Sequence, residues 1–375
     1  MKLVLFFTRG LSLRNWDRKG IFDREVAIYQ MLQNRGVNIS FVTYGDSSDL
    51  DYVDRIPGIK ILCNRWKLPR IFYEFLLHRL HAPALRECNV IKTNQTNGAD
   101  VAAKAARYWD KPLIVRCGYM WSYFAAKNFG NDSGRARHAR QIESRVFSTA
   151  QRVVVTTSSM KTDVCERIPE ACSKTAVIPN YVDTINFSQD TTKDRDIDVI
   201  FIGRFEHQKN IKALLEAVES LNVQTVLIGS GKLENQLKQR FASLNNNLHW
   251  VRNVPNSELP DYINRARLFI LPSHYEGHPK VFIEAMSCGA TVIGADSPGI
   301  REIINHGKNG WLCGTGSESI RAAIIHLLNN PGLCSKLGKN ARKYALEHFA
   351  LDRILKMEEK VLKSVMDENS MGQVK

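Results

Sequence analysis

Leu271-Pro272-Ser273-His274-Tyr275-Glu276-Gly277-His278-Pro279-Lys280-Val281-Phe282-Ile283-Glu284-Ala285-Met286-Ser287-Cys288-Gly289 follows the apolar run Leu268–Leu271. The run reads as a β-strand, and the residues after Pro279 read as a helix that stops at Gly289. Pro279 suits a first helical turn, where its missing N–H is not needed. A strand, a short loop and a helix in that order form the βα unit of a parallel sheet. Glu276 then lies in the loop at the carboxyl end of a strand, where open α/β sheets bind ligands. Amides near Lys280 and Val281, at the helix start, suit an anion. With Glu284 inside the helix, two carboxylates can accept hydroxyls on either side of a bound diphosphate. The competing reading is a capped helix with two solvated glutamates.

Two further loops follow strands. Phe201-Ile202-Gly203-Arg204-Phe205-Glu206-His207-Gln208-Lys209-Asn210 places Arg204 and Lys209 behind a glycine turn. Arginine offers phosphate a planar fork and lysine a mobile point charge. Ile228-Gly229-Ser230-Gly231 permits close backbone approach to a ligand. It lacks the complete G-x-G-x-x-G, so a dehydrogenase is a poor fit.

Outward from these loops, strands alternate with helical stretches. One series is Leu3–Phe7, Ile39–Thr43, Asn89–Thr93, Leu113–Arg116 and Arg152–Thr156, with a helix over Ile21–Arg35 stopped by Gly36. A second is Ile197–Ile202, Thr225–Ile228, Leu248–Val251, Leu268–Leu271 and Thr291–Ala295. Such alternation predicts two parallel sheets covered on both faces by helices. The polar stretch within Val182–Asp196 divides them, and Asp352–Met366 returns to helical spacing. The length of 375 residues with 44% hydrophobic content also favours two domains.

No apolar run is long enough to span a bilayer, and the N-terminus suits a strand better than a signal peptide. Eight cysteines without a C-x-x-C pair suggest neither zinc nor a disulfide framework, and a reducing cytosol is the simplest compartment. The net charge is +14, and residues 1–185 carry 28 Lys+Arg against 17 Asp+Glu. That excess suits a polyanion, an anionic lipid surface or a phosphorylated substrate, or is a solvated surface only. Trp66–Leu85 sets Arg65, Lys67, Arg70 and Arg79 among Ile71, Phe72, Phe75 and Leu76. It reads either as a helix packed on its sheet or as one lying on an anionic membrane. Arg135, Arg137, His138, Arg140 and Arg145 form a second basic cluster, facing an anionic acceptor or solvent. No H-E-x-x-H spacing occurs, and no D-x-D lies within the loops described.

In order and spacing, several segments resemble the retaining glycosyltransferases of glycosyltransferase family 4. They are Ile178-Pro179-Asn180-Tyr181-Val182-Asp183 with Phe187, Gly203-Arg204…Lys209-Asn210, Gly229-Ser230-Gly231, Leu271-Pro272-Ser273, Glu276/Glu284, Ala285–Gly289, Pro298–Glu302 and Asn309-Gly310. The resemblance covers most of residues 180–315. It implies the α/β GT-B architecture, two Rossmann-like domains facing across a cleft. Residues 1–183 would receive the acceptor, 184–349 would hold the nucleotide sugar, and 350–375 would form a helix packing back toward the first domain.

By the same resemblance Arg204 and Lys209 hold the donor diphosphate, Glu284 the ribose and Glu276 the transferred sugar. Backbone at Gly277, His278, Pro279, Lys280 and Val281 touches sugar or phosphate. Arg252, within His249–Val254, lies where the base is seated, and Gly20 sits in the loop that approaches the diphosphate. Glu302 matches a motif glutamate and is left out of catalysis. Many members carry a histidine after the fourth or fifth strand, whereas Val115-Arg116-Cys117-Gly118-Tyr119 has none. Arg116 or Tyr119 faces the cleft there instead, or simply packs.

The expected reaction is metal-independent transfer of a hexose-type sugar, with retention, from a UDP- or GDP-sugar to a glycan or lipid-linked acceptor. Synthesis of a cell-surface polysaccharide such as lipopolysaccharide, on the cytosolic face of the membrane, is the expected setting. The nucleotide sugar is substrate, and no cofactor is expected. A GT-B sugar-nucleotide epimerase is the alternative. A nucleic-acid-binding module rests on charge alone, and without a binding motif no nucleic acid is expected.

Overall fold

The computed structural model describes residues 1–244, 246–252 and 254–372. The chain folds as two compact units. One comprises Met1–Pro179 together with the chain from Ile354 onward, and the other Asn180–Arg353.

The first unit holds strands β1 (Lys2–Phe6), β2 (Asn38–Val42), β3 (Lys60–Leu62), β4 (Val90–Thr93), β5 (Leu113–Cys117), β6 (Arg152–Val155) and β7 (Thr175–Val177). The second holds β8 (Ile197–Ile202), β9 (Thr225–Ile228), β10 (Leu248–Val251), β11 (Ala266–Leu271), β12 (Thr291–Ala295) and β13 (Trp311–Cys313). Strand order is β3-β2-β1-β4-β5-β6-β7 in the first sheet and β10-β9-β8-β11-β12-β13 in the second. The pairings are parallel throughout, for example Leu5↔Phe41 and Ile270↔Ile293. Both orders are doubly wound, so order reverses between β1 and β4 and again between β8 and β11.

Central strands read as unbroken apolar runs because helices bury both faces. Leu268, Phe269, Ile270 and Leu271 of β11 are fully buried, as are Val199, Ile200 and Phe201 of β8. The expected strands are present, with ends shifted by a residue or so. β3, β7 and β13 were not legible in the sequence. Each has three residues and lies at a sheet edge, too short for an alternation to register. The Trp66–Leu85 stretch resolves into helices Arg70–Leu80 and Ala82–Glu87.

The expectation of no disulfide is overturned. Cys165 and Cys172 are bonded, with Cα atoms 4.5 Å apart. Helix Ser158–Arg167 ends at Ile168, and Pro169 starts the next short helix, Pro169–Cys172. This reversal brings together two cysteines whose spacing matches no familiar motif. The compartment argument from unpaired cysteines therefore loses its footing. The other six cysteines are thiols, five of them buried.

The C-terminal helix Leu351–Gly372 buries Ile354, Leu355, Leu362 and Val365 along one stripe. Glu358 lies on the same stripe, 2% exposed. Its Oε2 accepts from Lys92 Nζ at 2.5 Å, and its Oε1 from Arg116 Nη1 at 3.3 Å. Lys92, at 2% exposure, comes from the middle of β4. Burial alone would raise the Glu358 carboxyl, but Lys92 and Arg116 hold it below its ordinary 4.5. Arg35–Glu359 and Arg152–Glu368 pair further along the helix.

A depressed carboxyl stabilises the fold above its unfolded pKa, and the contribution is lost as pH falls through the folded value. Glu358→Gln leaves two cations without their acid, and should cost about 3–5 kcal/mol at neutral pH. Urea unfolding at several pH values should also show a weaker loss of stability below about pH 4.5 in the variant than in wild type. Equal stability of the two at neutral pH would show that this triad does not anchor the helix.

Candidate active site

The second unit gathers its polar loops where strand order reverses. The segment after β8 and the segment after β11 leave neighbouring strands at their carboxyl ends, the crevice in which open α/β sheets hold ligands.

After β8 the chain turns at Gly203 and enters a single tight turn, His207–Lys209. Asn210 follows in the left-handed region, with φ 53°. Its Nδ2 donates to Pro272 O at 3.1 Å and to Thr315 O at 2.8 Å, tying the two loops together. Gln208 Nε2 donates to Tyr275 O at 2.9 Å and reaches Glu276 Oε2 at 3.4 Å. Lys209 Nζ donates to Glu276 Oε1 at 2.6 Å. These two side chains are only 11% and 7% exposed, so the pair is largely desolvated.

Beneath the Glu276 loop lies Pro298-Gly299. Glu276 N donates to Pro298 O at 2.9 Å. A Cβ on Gly299 would come within 2.4 Å of the carbonyl oxygens of Glu276 and Gly277, and Gly299 has φ +82°. Only glycine lets this support approach so closely. Gly229 and Gly231 do similar work. A Cβ at Gly229 would sit 2.0 Å from Gly203 O, and one at Gly231 would sit 2.4 Å from Phe205 O. They let the loop after β9 pack closely on the loop after β8.

The helix Lys280–Ser287 begins after Pro279, which is its N-cap rather than part of its first turn. Lys280 and Val281 stand where a helix presents N–H groups outward. Lys280 Nζ lies 5.6 Å from the Tyr181 ring centre. Glu284 is 1% exposed, and its Oε1 accepts from Asn256 Nδ2 at 3.1 Å. His278 is buried with its ring 5.0 Å from that of Phe349, and its carbonyl accepts from Asn180 Nδ2 at 2.6 Å. His274 is lowered from its ordinary value by burial and then by the neighbouring His207, which favours the neutral ring at pH 7.

Lys209, Glu276, Gly277 and the start of the Lys280–Ser287 helix are thus brought together. Arg204 and Arg252 are not drawn in. Arg204 is 66% exposed and pairs with Glu206 at 3.2 Å. Arg252 is 71% exposed and pairs with Glu234 at 3.0 Å. Asn253, in the expected base-binding stretch, lies outside the described residues. Gly20 belongs to the first unit, with φ +65°, just after helix Leu13–Arg18. Arg116 is committed to Glu358, and the Tyr119 ring packs 4.7 Å from Phe124. In helix Gly134–Thr149, Arg135, Arg137, His138 and Arg145 are exposed and Arg140 is half-buried.

Asn256 escaped sequence reasoning, and Gln208 and Asn210 were read only as part of the loop after β8, with no role assigned to them. Asn256 is 28 residues from Glu284, and no local spacing announces such a contact. Among the described residues, no three His, Cys, Asp or Glu side chains gather in a group that could hold a metal ion.

Two sequence families match the chain. Glycosyl transferases group 1 spans residues 183–344, and Glycosyltransferase Family 4 spans residues 26–185. The chain is 27% identical over 274 residues to an uncharacterized glycosyltransferase of Methanocaldococcus jannaschii, MJ1607, covering 68% of this chain and 67% of that one. In three such relatives the shared stretch spans 67%, 48% and 63% of their own length. Sucrose-phosphate synthase from Thermosynechococcus elongatus superposes with TM-score 0.84 at 18% identity, over 98% of this chain and 100% of that one. HepE from Anabaena, solved in complex with UDP-glucose, gives 0.79 at 18% identity over 97% and 100%. The chain belongs to the glycosyltransferases of family 4 type, with the GT-B fold.

Lys209 and Glu276 should be energetically coupled even without ligand. In a double-mutant cycle of Lys209→Met and Glu276→Gln, chemical denaturation should yield a coupling of at least about 1 kcal/mol. Additive effects would mean that the pair does not form in solution.

Proposed function

We propose that this enzyme moves a hexose-type sugar, with retention, from a UDP- or GDP-sugar to a glycan or lipid-linked acceptor. Its setting would be cell-surface polysaccharide synthesis at the cytosolic face of a membrane. The observation that carries the reading is the Lys209–Glu276 pair, 2.6 Å apart at the switch point beside a helix start. A nucleotide-sugar donor is further supported by the UDP-glucose complex of HepE.

In this reading the donor diphosphate lies against the first-turn amides of the Lys280–Ser287 helix. Lys209 exchanges its bond to Glu276 for one to the diphosphate. The exchange keeps the lysine paired throughout and releases the Glu276 carboxylate for hydroxyls of the sugar. Arg204, held only by an exposed pairing with Glu206, is able to swing to the same diphosphate at little cost. Glu284, oriented by Asn256, accepts from the ribose hydroxyls.

The bond from the anomeric carbon to the diphosphate oxygen then loosens, and negative charge grows on the leaving group. Lys209 and Arg204 stabilise that charge. The acceptor hydroxyl attacks from the face the diphosphate leaves, and its proton passes to the departing phosphate oxygen. Configuration is retained, and no protein nucleophile takes part. Metal independence rests on the loops after β8, β9 and β11, none of which contains a D-x-D; the D-x-D spacings Asp194/Asp196 and Asp196/Asp198 lie at the amino end of β8. Turnover should therefore survive dialysis against a chelator, and loss of activity restored by magnesium or manganese would refute it.

The donor is identified by thermal unfolding with a panel of nucleoside diphosphates and their sugars. A donor at a hundred times its Kd adds about 2.7 kcal/mol of stability. No protection by any member of the panel would reject the reading. The two glutamates separate by role. Glu276→Gln should cut turnover by about 10²–10³-fold while the free diphosphate still binds. Glu284→Gln should instead weaken diphosphate binding itself, by roughly 1.5–3 kcal/mol. Calorimetry beside steady-state kinetics measures both, and the reverse pattern would exchange the assignments.

A further inference from the structure

Helix Arg70–Leu80 has two apolar faces. One is ordinary core, with Tyr73 and Leu77 buried. The Tyr73 hydroxyl is tied to His81 Nε2 at 2.8 Å. The other carries Ile71, Phe72 and Phe75, which are 76%, 61% and 63% exposed. Phe75 lies i+4 from Ile71 and i+3 from Phe72, which puts all three on one face of the helix, and Arg79 continues it at i+4 from Phe75. Among the described residues no other helix exposes three large apolar side chains. Tyr108, 51% exposed, stands on the neighbouring helix Ala99–Tyr108. The Arg79 guanidinium lies 6.0 Å from the centre of its ring.

The rim of this patch is cationic. Arg65, Lys67, Arg70, Arg79, Lys104 and Arg107 are all exposed. The one acid on the helix, Glu74, is turned inward at 18% exposure and is occupied by Arg9 at 3.1 Å and Arg70 at 3.6 Å. Lys104 Nζ lies 4.2 Å from the Phe75 ring centre and donates to Phe75 O at 3.0 Å. Its stem thus lines the apolar surface while its head stays at the edge, the disposition of lysines at a membrane interface.

We propose that the Ile71–Phe72–Phe75 face is a docking surface for an anionic lipid bilayer. Exposed aromatic and aliphatic side chains ringed by cations are what an interfacial helix presents to headgroups and acyl chains. A protein partner would need a hydrophobic socket with a matching acidic rim, whereas anionic lipid supplies the complementary charge at every position. The face also adjoins the ligand edge of its own sheet. Arg70 Nη1 lies 3.7 Å from the Cβ position of Gly10, in the loop leaving the carboxyl end of β1. A lipid-borne acceptor would be presented at that edge. The purpose of docking rests on the lipid-linked acceptor proposed above, but docking itself is measurable without donor or acceptor.

Full-length protein should sediment with vesicles of mixed phosphatidylcholine and phosphatidylglycerol and not with phosphatidylcholine alone. Rising salt should release it. The double variant Phe72→Ser/Phe75→Ser should bind the mixed vesicles at least about tenfold more weakly, since each ring loses a buried apolar contact. Lys67→Glu/Arg79→Glu should abolish the dependence on anionic lipid. Both variants should keep the wild-type melting temperature and the same protection by the nucleotide-sugar donor. Failure of the wild type to bind, or undiminished binding by both variants, overturns the proposal. So does a concentration-dependent dimer that the serine variant abolishes while vesicle binding is unchanged, which would assign the face to a second copy of the chain. Docking that fails while donor protection persists leaves the transferase reading standing. Docking that succeeds without donor protection rejects the transferase reading alone.

Discussion

A parallel strand cannot return to its neighbour by a tight turn. Every connection must cross a face of the sheet, and in both units helices make that crossing. The sheet is then buried on both sides, which is why β8 and β11 are apolar along nearly their whole length. Winding outward in two directions from the central strands also forces a place where consecutive loops diverge. In the second unit the loops that carry Lys209 and Glu276 leave the two strands on either side of that place. These side chains are placed by this constraint before any specific contact is considered.

Within that frame, two groups of buried charge are matched by opposite charge. Lys209 and Glu276 share one desolvated bond, and Gln208 occupies the other carboxylate oxygen. Lys92, Arg116 and Glu358 form a second matched group, in the first unit. The two groups differ in place. The first lies at the switch point of the second sheet, where in the proposed mechanism a ligand carrying its own negative charge substitutes for Glu276. The second is buried and ties the C-terminal helix to β4 and β5. Arg204 and Arg252 show the opposite condition, exposed and loosely paired, free to reorient at small energetic cost.

The helix Arg70–Leu80 illustrates how far periodicity can be read. Its apolar residues fall at helical spacing, and its cations lie among them. Spacing alone leaves open which stripe meets the sheet, because both stripes are apolar. Burial of Tyr73 and Leu77 settles that question and leaves Ile71, Phe72 and Phe75 in solvent. The Cys165–Cys172 bridge is a comparable case, since a helix reversal at Pro169 brings together residues with no recognisable spacing.

The sequence by itself determined the two βα series, the strand-to-helix loops and the family motif. Each of these depends on local periodicity or on residues a few positions apart, and local energetics already favours them. The placement of Lys209 and Glu276 on loops and of Glu284 in a helix was legible for that reason. Only the tertiary structure decided which partners they meet. Asn256 reaches Glu284 across 28 positions. Gly299 supports the Glu276 loop from beyond the next strand. Glu358 finds Lys92 from the far end of the chain. The edge strands β3, β7 and β13 belong to the same class, because three residues acquire strand geometry only when a neighbouring strand supplies their hydrogen bonds. Contacts of this kind depend on how sheets and crossings assemble, and a linear pattern carries no record of that assembly.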